Sequence, residues 1–242
     1  ALLSTVSTVT VGNCHSFHSY FLRPGDPRDP ILYEVDRVRN GKSFSTRRVA
    51  AVQKGRTIFI MTASFQIAEE GFVHQFKMPS VPSPEDLPTD IERMEKSLPR
   101  LTEEQRKTLC RERPIELRRV EAIDFANPKK RSPVQHIWLR SKERLGDQYS
   151  EHQGFLAYAS DMGLLSTSSL PHGMSWLNGL QTASLDHSMW FHDSFRMDKW
   201  ILAVIESPTA SNSRAFNRGL MFSAEGALIA SASQEGLMRV RK

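Results

Sequence analysis

Apolar and polar positions alternate with a period of two along several stretches of the chain, the pattern of half-buried strands. Residues 15–23 are aromatic-rich and end at Pro24-Gly25-Asp26-Pro27. Residues 31–39 alternate and stop at the turn dipeptide Asn40-Gly41. Residues 43–53 carry Val and Arg, and Lys54-Gly55 turns them into residues 57–68, a near-continuous apolar run expected at a sheet centre. These four segments predict an antiparallel meander. A second set is predicted at 115–123, 135–142, 183–192, 199–207, 214–223 and 227–240, with Ala224-Glu225-Gly226 as the turn between the last two. Helical spacing is clearest in 152–165, where Phe155, Tyr158, Ala159, Met162 and Leu165 recur on one side. Gly154, Ala157 and Ser160 are small, so a sheet can pack close to this helix. Residues 1–11 read as a helix end or a lead-in to the first strand. Between the two sets, residues 78–88 hold Pro79, Pro82, Pro84 and Pro88 and predict an extended linker. A charged stretch, 90–111, predicts a helix after Thr102-Glu103-Glu104.

The chain also matches itself. His18-Ser19 recurs as His187-Ser188, 169 residues on, and Ile31 falls on Trp200 at the same spacing. Residues 62–66 fall on 230–234 at a spacing of 168, which sets Gln66 against Gln234. Each half therefore reads as a helix, or a remnant of one, followed by four antiparallel strands. A small sheet with one helix buries its apolar face on that helix. The expected division is a first unit over 1–76, a linker over 77–113 and a second unit over 114–242.

Composition narrows the class. The 242 residues are 39% hydrophobic and 24% charged, enough for one large domain or two small ones. No apolar run is long enough to span a membrane, and residues 1–11 lack the positive start of a signal peptide. Cys14 and Cys110 form neither a zinc spacing nor a disulfide framework, which points to a reduced, intracellular protein. The net charge of +5 suits a polyanion, either nucleic acid or a small phosphorylated ligand. The basic residues are scattered among strands, however, and no nucleic-acid recognition motif accompanies them. Lys129-Lys130-Arg131 reads as a solvated turn, with a phosphate contact as its other reading.

The densest run of hydrogen-bonding and aromatic side chains is 183–192. As an unbroken strand it would place Leu185, His187, Met189 and Phe191 on one face, and Ser184, Asp186, Ser188 and Trp190 on the other. The first face suits a core. The second suits a polar pocket, or a central strand whose polar groups are simply hydrogen-bonded. Asp161, inside the apolar helix, is either a surface residue or a partly buried acid with a role. A Ser/His/Asp nucleophilic reading fits poorly. Asp186 and His187 are neighbours in sequence and point to opposite faces, and no Gly-x-Ser-x-Gly elbow is present. His187 reads as structural.

Several motifs together carry a family resemblance. They are 15–21 with Arg23-Pro24-Gly25-Asp26, then 41–45, 61–66, Tyr158-Ala159-Ser160-Asp161, 185–192 and Gln234-Glu235-Gly236. In this order they resemble the type II acyl-CoA thioesterases, the TesB-like group, and the bacterial members most. The resemblance implies an α+β tandem (double) hotdog, each unit a curved antiparallel sheet wrapped around a central helix. It implies hydrolysis of fatty acyl-CoA by activated water, with Asp161, Ser184 and Gln234 as the catalytic group. Some relatives have Thr in place of Ser184. It also implies that the chain starts partway through the first helix, without the first strands and the Gly-Gly-Gln opening of that helix. The expected enzyme is a cytoplasmic homo-oligomer that takes acyl-CoA and engages neither nucleic acid nor membrane. No metal or organic cofactor is expected, since there is no zinc spacing and no Gly-rich phosphate loop. A hotdog module that binds acyl-CoA or a protein without turnover is the alternative.

Overall fold

A computed structural model describes residues 1–9, 12–95 and 101–241. In chain order the elements are α1 (Leu2–Val6), β1 (Asn13–Phe21), β2 (Leu32–Asn40), β3 (Phe44–Gln53), β4 (Arg56–Gln66), α2 (Asp90–Glu95), α3 (Glu103–Leu109), β5 (Ile115–Arg119), β6 (Val134–Ser141), α4 (Tyr149–Ala159), α5 (Leu164–Thr167), β7 (Leu180–Ser184), β8 (Asp186–Phe191), β9 (Ile201–Ser211), β10 (Arg214–Ser223) and β11 (Leu228–Val240). Of the charged stretch 90–111, residues 96–100 lie outside the described residues. Its helix after Thr102 is α3, whose Thr102 and Gln105 side chains satisfy each other's backbone N–H groups in a capping box.

All eleven strands join one antiparallel sheet, ordered β2-β3-β4-β1-β8-β11-β10-β9-β6-β5, with β7 alongside β11. The β1–β8 pair joins the N-terminal strands to the rest. His18 lies opposite Ser188 and Ser19 opposite His187. Ser19 adds a side-chain bond across this seam, donating to the His187 carbonyl at 2.7 Å. The inner face of the sheet wraps α4 and α5, and one core runs through both parts, from Phe17 and Met61 to Leu156 and Met189.

The internal repeat is real in the sheet, but its spacing is 170 along β1 and β3 and 171 along β4. Arg47 pairs with Ala63 across β3 and β4, and Asn217, 170 positions on, pairs with Gln234 across β10 and β11. Pleat explains the error. His18 is exposed on the outer face and His187 is buried on the inner one, so the His-Ser match equates side chains that point opposite ways. Gln66 and Gln234 consequently do not correspond. Gln66 ends β4 opposite Asn13 and Phe44, and the counterpart of Gln234 is Ala63.

The expected helix over 152–165 is also interrupted. α4 ends at Ala159, residues 160–163 form a turn, and α5 resumes at Leu164. Gly163 causes the break. It adopts φ +98°, and a Cβ there would sit 2.5 Å from Ile137 Cδ1 on β6. Asp161 therefore occupies a turn rather than the helix body. The predicted strand over 183–192 is likewise two strands, β7 and β8, with Leu185 between them.

The proline-rich segment is extended up to Ser83, turns through a short 3-10 helix at Pro84–Asp86 where an unbroken extended linker was expected, and lies over the outer face of the sheet. Met78, Val81 and Leu87 pack on a small cluster built from Trp138, Trp200, Leu202 and Phe222. Prolines bring carbonyls but no N–H, and the tryptophans supply donors. Trp138 Nε1 donates to the Pro82 carbonyl and Trp200 Nε1 to Glu85, both at 2.9 Å.

Substitution at two glycines separates the conformational cost from the contact. Gly226 has φ +94° with open space where a Cβ would go. Gly226→Ala is expected to cost about 1 kcal/mol, and Gly163→Ala about 2–3 kcal/mol because it adds the clash with Ile137. Urea unfolding of the two variants beside the parent measures the difference.

Candidate active site

Three side chains far apart in sequence converge on β11. Gln234 is buried on the inner face, and its Nε2 donates to Asp161 Oδ1 at 2.7 Å and to Ser184 Oγ at 2.9 Å. Asp161 is exposed and Ser184 half-buried. A carboxylate only accepts, so the Gln234 amide is turned with its nitrogen toward Asp161. That leaves Gln234 Oε1 buried with no partner among the described residues.

Ser184 reaches this cluster through a β-bulge. Ser184 lies opposite Gly236, and Ser188 lies opposite Ser233. Four steps along β7 and β8 thus face three along β11, which shifts the pleat by one residue. Ser184 is therefore on the inner face with Gln234, not on the outer face with Ser188 and Trp190 as an unbroken strand would have it. Leu185 N still donates to the Glu235 carbonyl at 3.0 Å. The Glu235 N–H finds its acceptor in the Asp186 carboxylate, at 2.5 Å. Asp186 thus supplies, from a side chain, an acceptor for the irregular part of the ladder, and it fixes the backbone next to Gln234. Gly236 was the sequence signal, since a glycine within a strand pattern often marks a bulge or a close approach. A Cβ at Gly236 would fall 2.4 Å from Leu165 Cδ1 on α5.

His187 supports the turn that carries Asp161. Ser160 Oγ donates to the Ala157 carbonyl at 2.9 Å, so it accepts from His187 Nε2 at 2.8 Å. Burial holds the His187 pKa below its usual value, against the opposing pull of Asp161 and then Asp186. The ring is therefore neutral, and it is engaged with Ser160 rather than Ser184. Sequence reading missed Ser160, the clamp made by Asp186, and Asn217. Asn217 lies beside Gln234 in the ladder, fully buried, with neither amide atom partnered among the described residues.

The N-terminal strands repeat the bulge without the polar side chains. Cys14 lies opposite Phe65 and Ser16 opposite Ser64, with the same register shift between them. At the repeat spacing, 170 along β1 and 171 along β4, Cys14 stands for Ser184 and Phe17 for His187, while Ala63 stands for Gln234 and Phe65 for Gly236. Cys14, Phe17, Ala63 and Phe65 are all buried in the core. Burial pushes the Cys14 thiol up to about 12, so it stays protonated.

The sequence matches a family model described as acyl-CoA thioesterase over residues 106–237, and one described as the acyl-CoA thioesterase N-terminal domain over residues 1–66. It is 40% identical over 252 residues to acyl-coenzyme A thioesterase 8 of Homo sapiens, covering 100% of this chain and 78% of that protein. The structure is similar to that of an acyl-CoA thioesterase II, TesB2, from Mycobacterium marinum. The TM-score is 0.81 at 40% identity, covering 100% of this chain and 86% of the other. This chain belongs to the acyl-CoA thioesterase family. The fold is the tandem hotdog. A protein described as having a hot dog fold, from Alicyclobacillus acidocaldarius, shares it at 17% identity with a TM-score of 0.78, covering 100% of this chain and 85% of the other.

In this thioesterase Asp161 and His187 face a cavity of about 1010 Å³. Tyr158 and Met162 line it from around the Asp161 turn, and Phe21 reaches it from β1. Among the described residues no three His, Cys, Asp or Glu side chains are grouped to hold a metal ion, and no helix is long and apolar enough to cross a membrane.

Two outcomes follow from the clamp and the buried ring. Asp186→Ala leaves the Glu235 N–H without its acceptor and is expected to cost about 1–3 kcal/mol of stability. Asp186→Asn keeps an acceptor and is expected to cost less, and turnover should fall in the same order in thiol-release assays. For His187 the unfolded ring takes up a proton near 6.5, whereas the buried native ring resists it. Protonation therefore favours the unfolded state, and stability should fall as pH drops through 6.5. His187→Gln is expected to flatten that slope in unfolding measured on either side of 6.5. Part of it should remain, because burial also lowers the pKa of His15 and His192.

Proposed function

We propose that this chain hydrolyses fatty acyl-CoA thioesters to free fatty acid and coenzyme A, using a water activated by Asp161 and held by Gln234. The observation that carries the reading is the Gln234 amide. Its nitrogen donates to Asp161 and Ser184, which gathers the three side chains at one point, and its oxygen is buried without a partner among the described residues. In this reading a water enters from the cavity side and bonds to Asp161, and the Gln234 oxygen, closed to solvent in this arrangement, accepts the water's second hydrogen once the amide turns outward. Asp161 accepts one proton as the water oxygen attacks the thioester carbonyl. The carbon–sulfur bond then breaks, Asp161 returns its proton to the departing sulfur, and coenzyme A leaves as the thiol and the acyl group as the acid. Ser184 accepts from Gln234, so its own hydrogen is available to Asp161 or to the water. Its partner is an amide rather than a histidine, which argues against Ser184 as a nucleophile with a base of its own.

The proposed organisation is a first hotdog over 1–76, a linker over 77–113 and a second hotdog over 114–242. The sheet order supports it, with β1–β4 on one side of the seam and β8–β11 on the other. The same reading takes the enzyme as a cytoplasmic homo-oligomer.

Steady-state hydrolysis of one acyl-CoA by three variants tests the mechanism, with circular dichroism as the check on folding. Asp161→Asn keeps the shape and removes the base, and turnover is expected to fall roughly a hundred- to ten-thousand-fold. Gln234→Ala is expected to fall in a similar range. Ser184→Ala removes one neutral hydroxyl and is expected to lose less, about ten- to a hundred-and-fifty-fold. All three residues act on one water, so the triple variant should be scarcely worse than Asp161→Asn. Near-parental turnover in Asp161→Asn, or a covalent acyl group trapped on Ser184, would sink the mechanism.

A further inference from the structure

The cavity at Asp161 has a second wall of different chemistry. Opposite the turn it is closed by α3 and the segment that follows, which present Lys107, Arg111 and Arg113 together with Glu104 and Glu112. Arg111, Glu112, Arg113 and Gly163 also line a neighbouring cavity of about 490 Å³, bounded farther out by Trp176 and Lys142. The two hollows therefore adjoin across the Arg111–Arg113 segment.

The arginines along the neighbouring β5 and β6 are already engaged. Arg118 and Arg140 pair with Glu116, and Arg119 pairs with Asp90. Arg111 and Arg113 are exposed and make no ion pair or side-chain hydrogen bond among the described residues. Lys107 pairs with Glu103, but both side chains are largely exposed, so the pair is weak and readily exchanged. Two carboxylates on the same rim offset much of the positive charge. Attraction at this rim thus rests on directed bonds from the two arginine forks rather than on net charge. A guanidinium matches a phosphate with two parallel N–H···O bonds.

The substrate supplies the matching group. With the thioester at Asp161, the pantetheine arm of coenzyme A must leave the reacting carbon and end on a phosphorylated nucleotide, a trianionic or more highly charged head. We propose that Arg111 and Arg113, assisted by Lys107, hold the phosphates of that nucleotide, at the passage between the two cavities. This deepens the functional reading above and rests on it. It assigns substrate recognition to the segment between the two sets of strands, a part of the chain with no role in the chemistry.

The test compares two thioesters of one acyl group, on coenzyme A and on N-acetylcysteamine, which has no phosphate. Arg111→Ala/Arg113→Ala is expected to raise KM for the coenzyme A ester at least about tenfold, the size of effect that charge-assisted hydrogen bonds carry. The expected kcat stays close to parental, and kcat/KM for the N-acetylcysteamine ester does not follow the loss. Raising salt should increase the parental KM for the coenzyme A ester more than that of the variant. Equal losses on the two esters, or no loss on either, would overturn the proposal, the first by pointing to a merely structural role. Direct titration with coenzyme A keeps the outcomes separate from the proposed activity. If the parent binds coenzyme A and turns over neither ester, the hydrolytic reading fails. The phosphate site then stands or falls on whether the variant's affinity drops about tenfold or is unchanged.

Discussion

Where β1 lies against β8, a single ladder carries the sheet from the N-terminal strands to the rest of the chain, and one core must then serve both. Phe17 stacks on His187 across this seam with ring centroids 5.9 Å apart, and Phe191 lies 6.3 Å from the same phenylalanine. Gln153 on α4 donates to the Cys14 carbonyl on β1 at 2.6 Å, so the helix is tied to both sides of the seam. The register of this pair decides which side chains look inward. It sets His187 beneath the Asp161 turn and leaves His18 outside, bonded to Ser188 at 3.1 Å.

The bulge beside the seam matters as much for a different reason. An antiparallel strand presents alternate residues to the core, and the inner face here already carries His187, Met189 and Phe191. Without an extra residue Ser184 would face away from Gln234. The bulge turns it inward, and the irregularity it creates in the ladder is answered by the Asp186 side chain. The polar cluster is built on strand backbone with few adjustable torsions. That suits a site built around a buried amide.

Much of the fold was legible because the strands are bounded by strong turn chemistry. Asn40-Gly41, Lys54-Gly55 and Ala224-Glu225-Gly226 mark the hairpins, and alternation fills the spaces between them. Asp161, Ser184 and Gln234 came from the family resemblance, and the structure brings them together. Two of the failures have one cause. Alternation assumes an unbroken ladder, so reading 183–192 as one strand put Ser184 on the wrong face. The same assumption hid the spacing of the repeat, because the His-Ser match aligns one residue out of phase and the short Ser- and Ala-rich match three. The helix break was hidden in a contact with Ile137, far away in sequence, which no local pattern at Gly163 reveals. Asp186 was visible as a carboxylate, but its task depends on an N–H nearly fifty residues away.

The duplicated bulge of the N-terminal strands, filled with Cys14, Phe17, Ala63 and Phe65, separates two kinds of selective pressure. The half without polar residues at these positions contributes nothing to the Asp161, Ser184 and Gln234 cluster, yet through Phe21 it forms part of the chamber wall. Drift there can reshape what the chamber admits while Asp161, Ser184 and Gln234 stay untouched. A repeated fold with a polar cluster in one copy and an apolar counterpart in the other has two loosely coupled places to vary, one at the cluster and one at the borrowed wall.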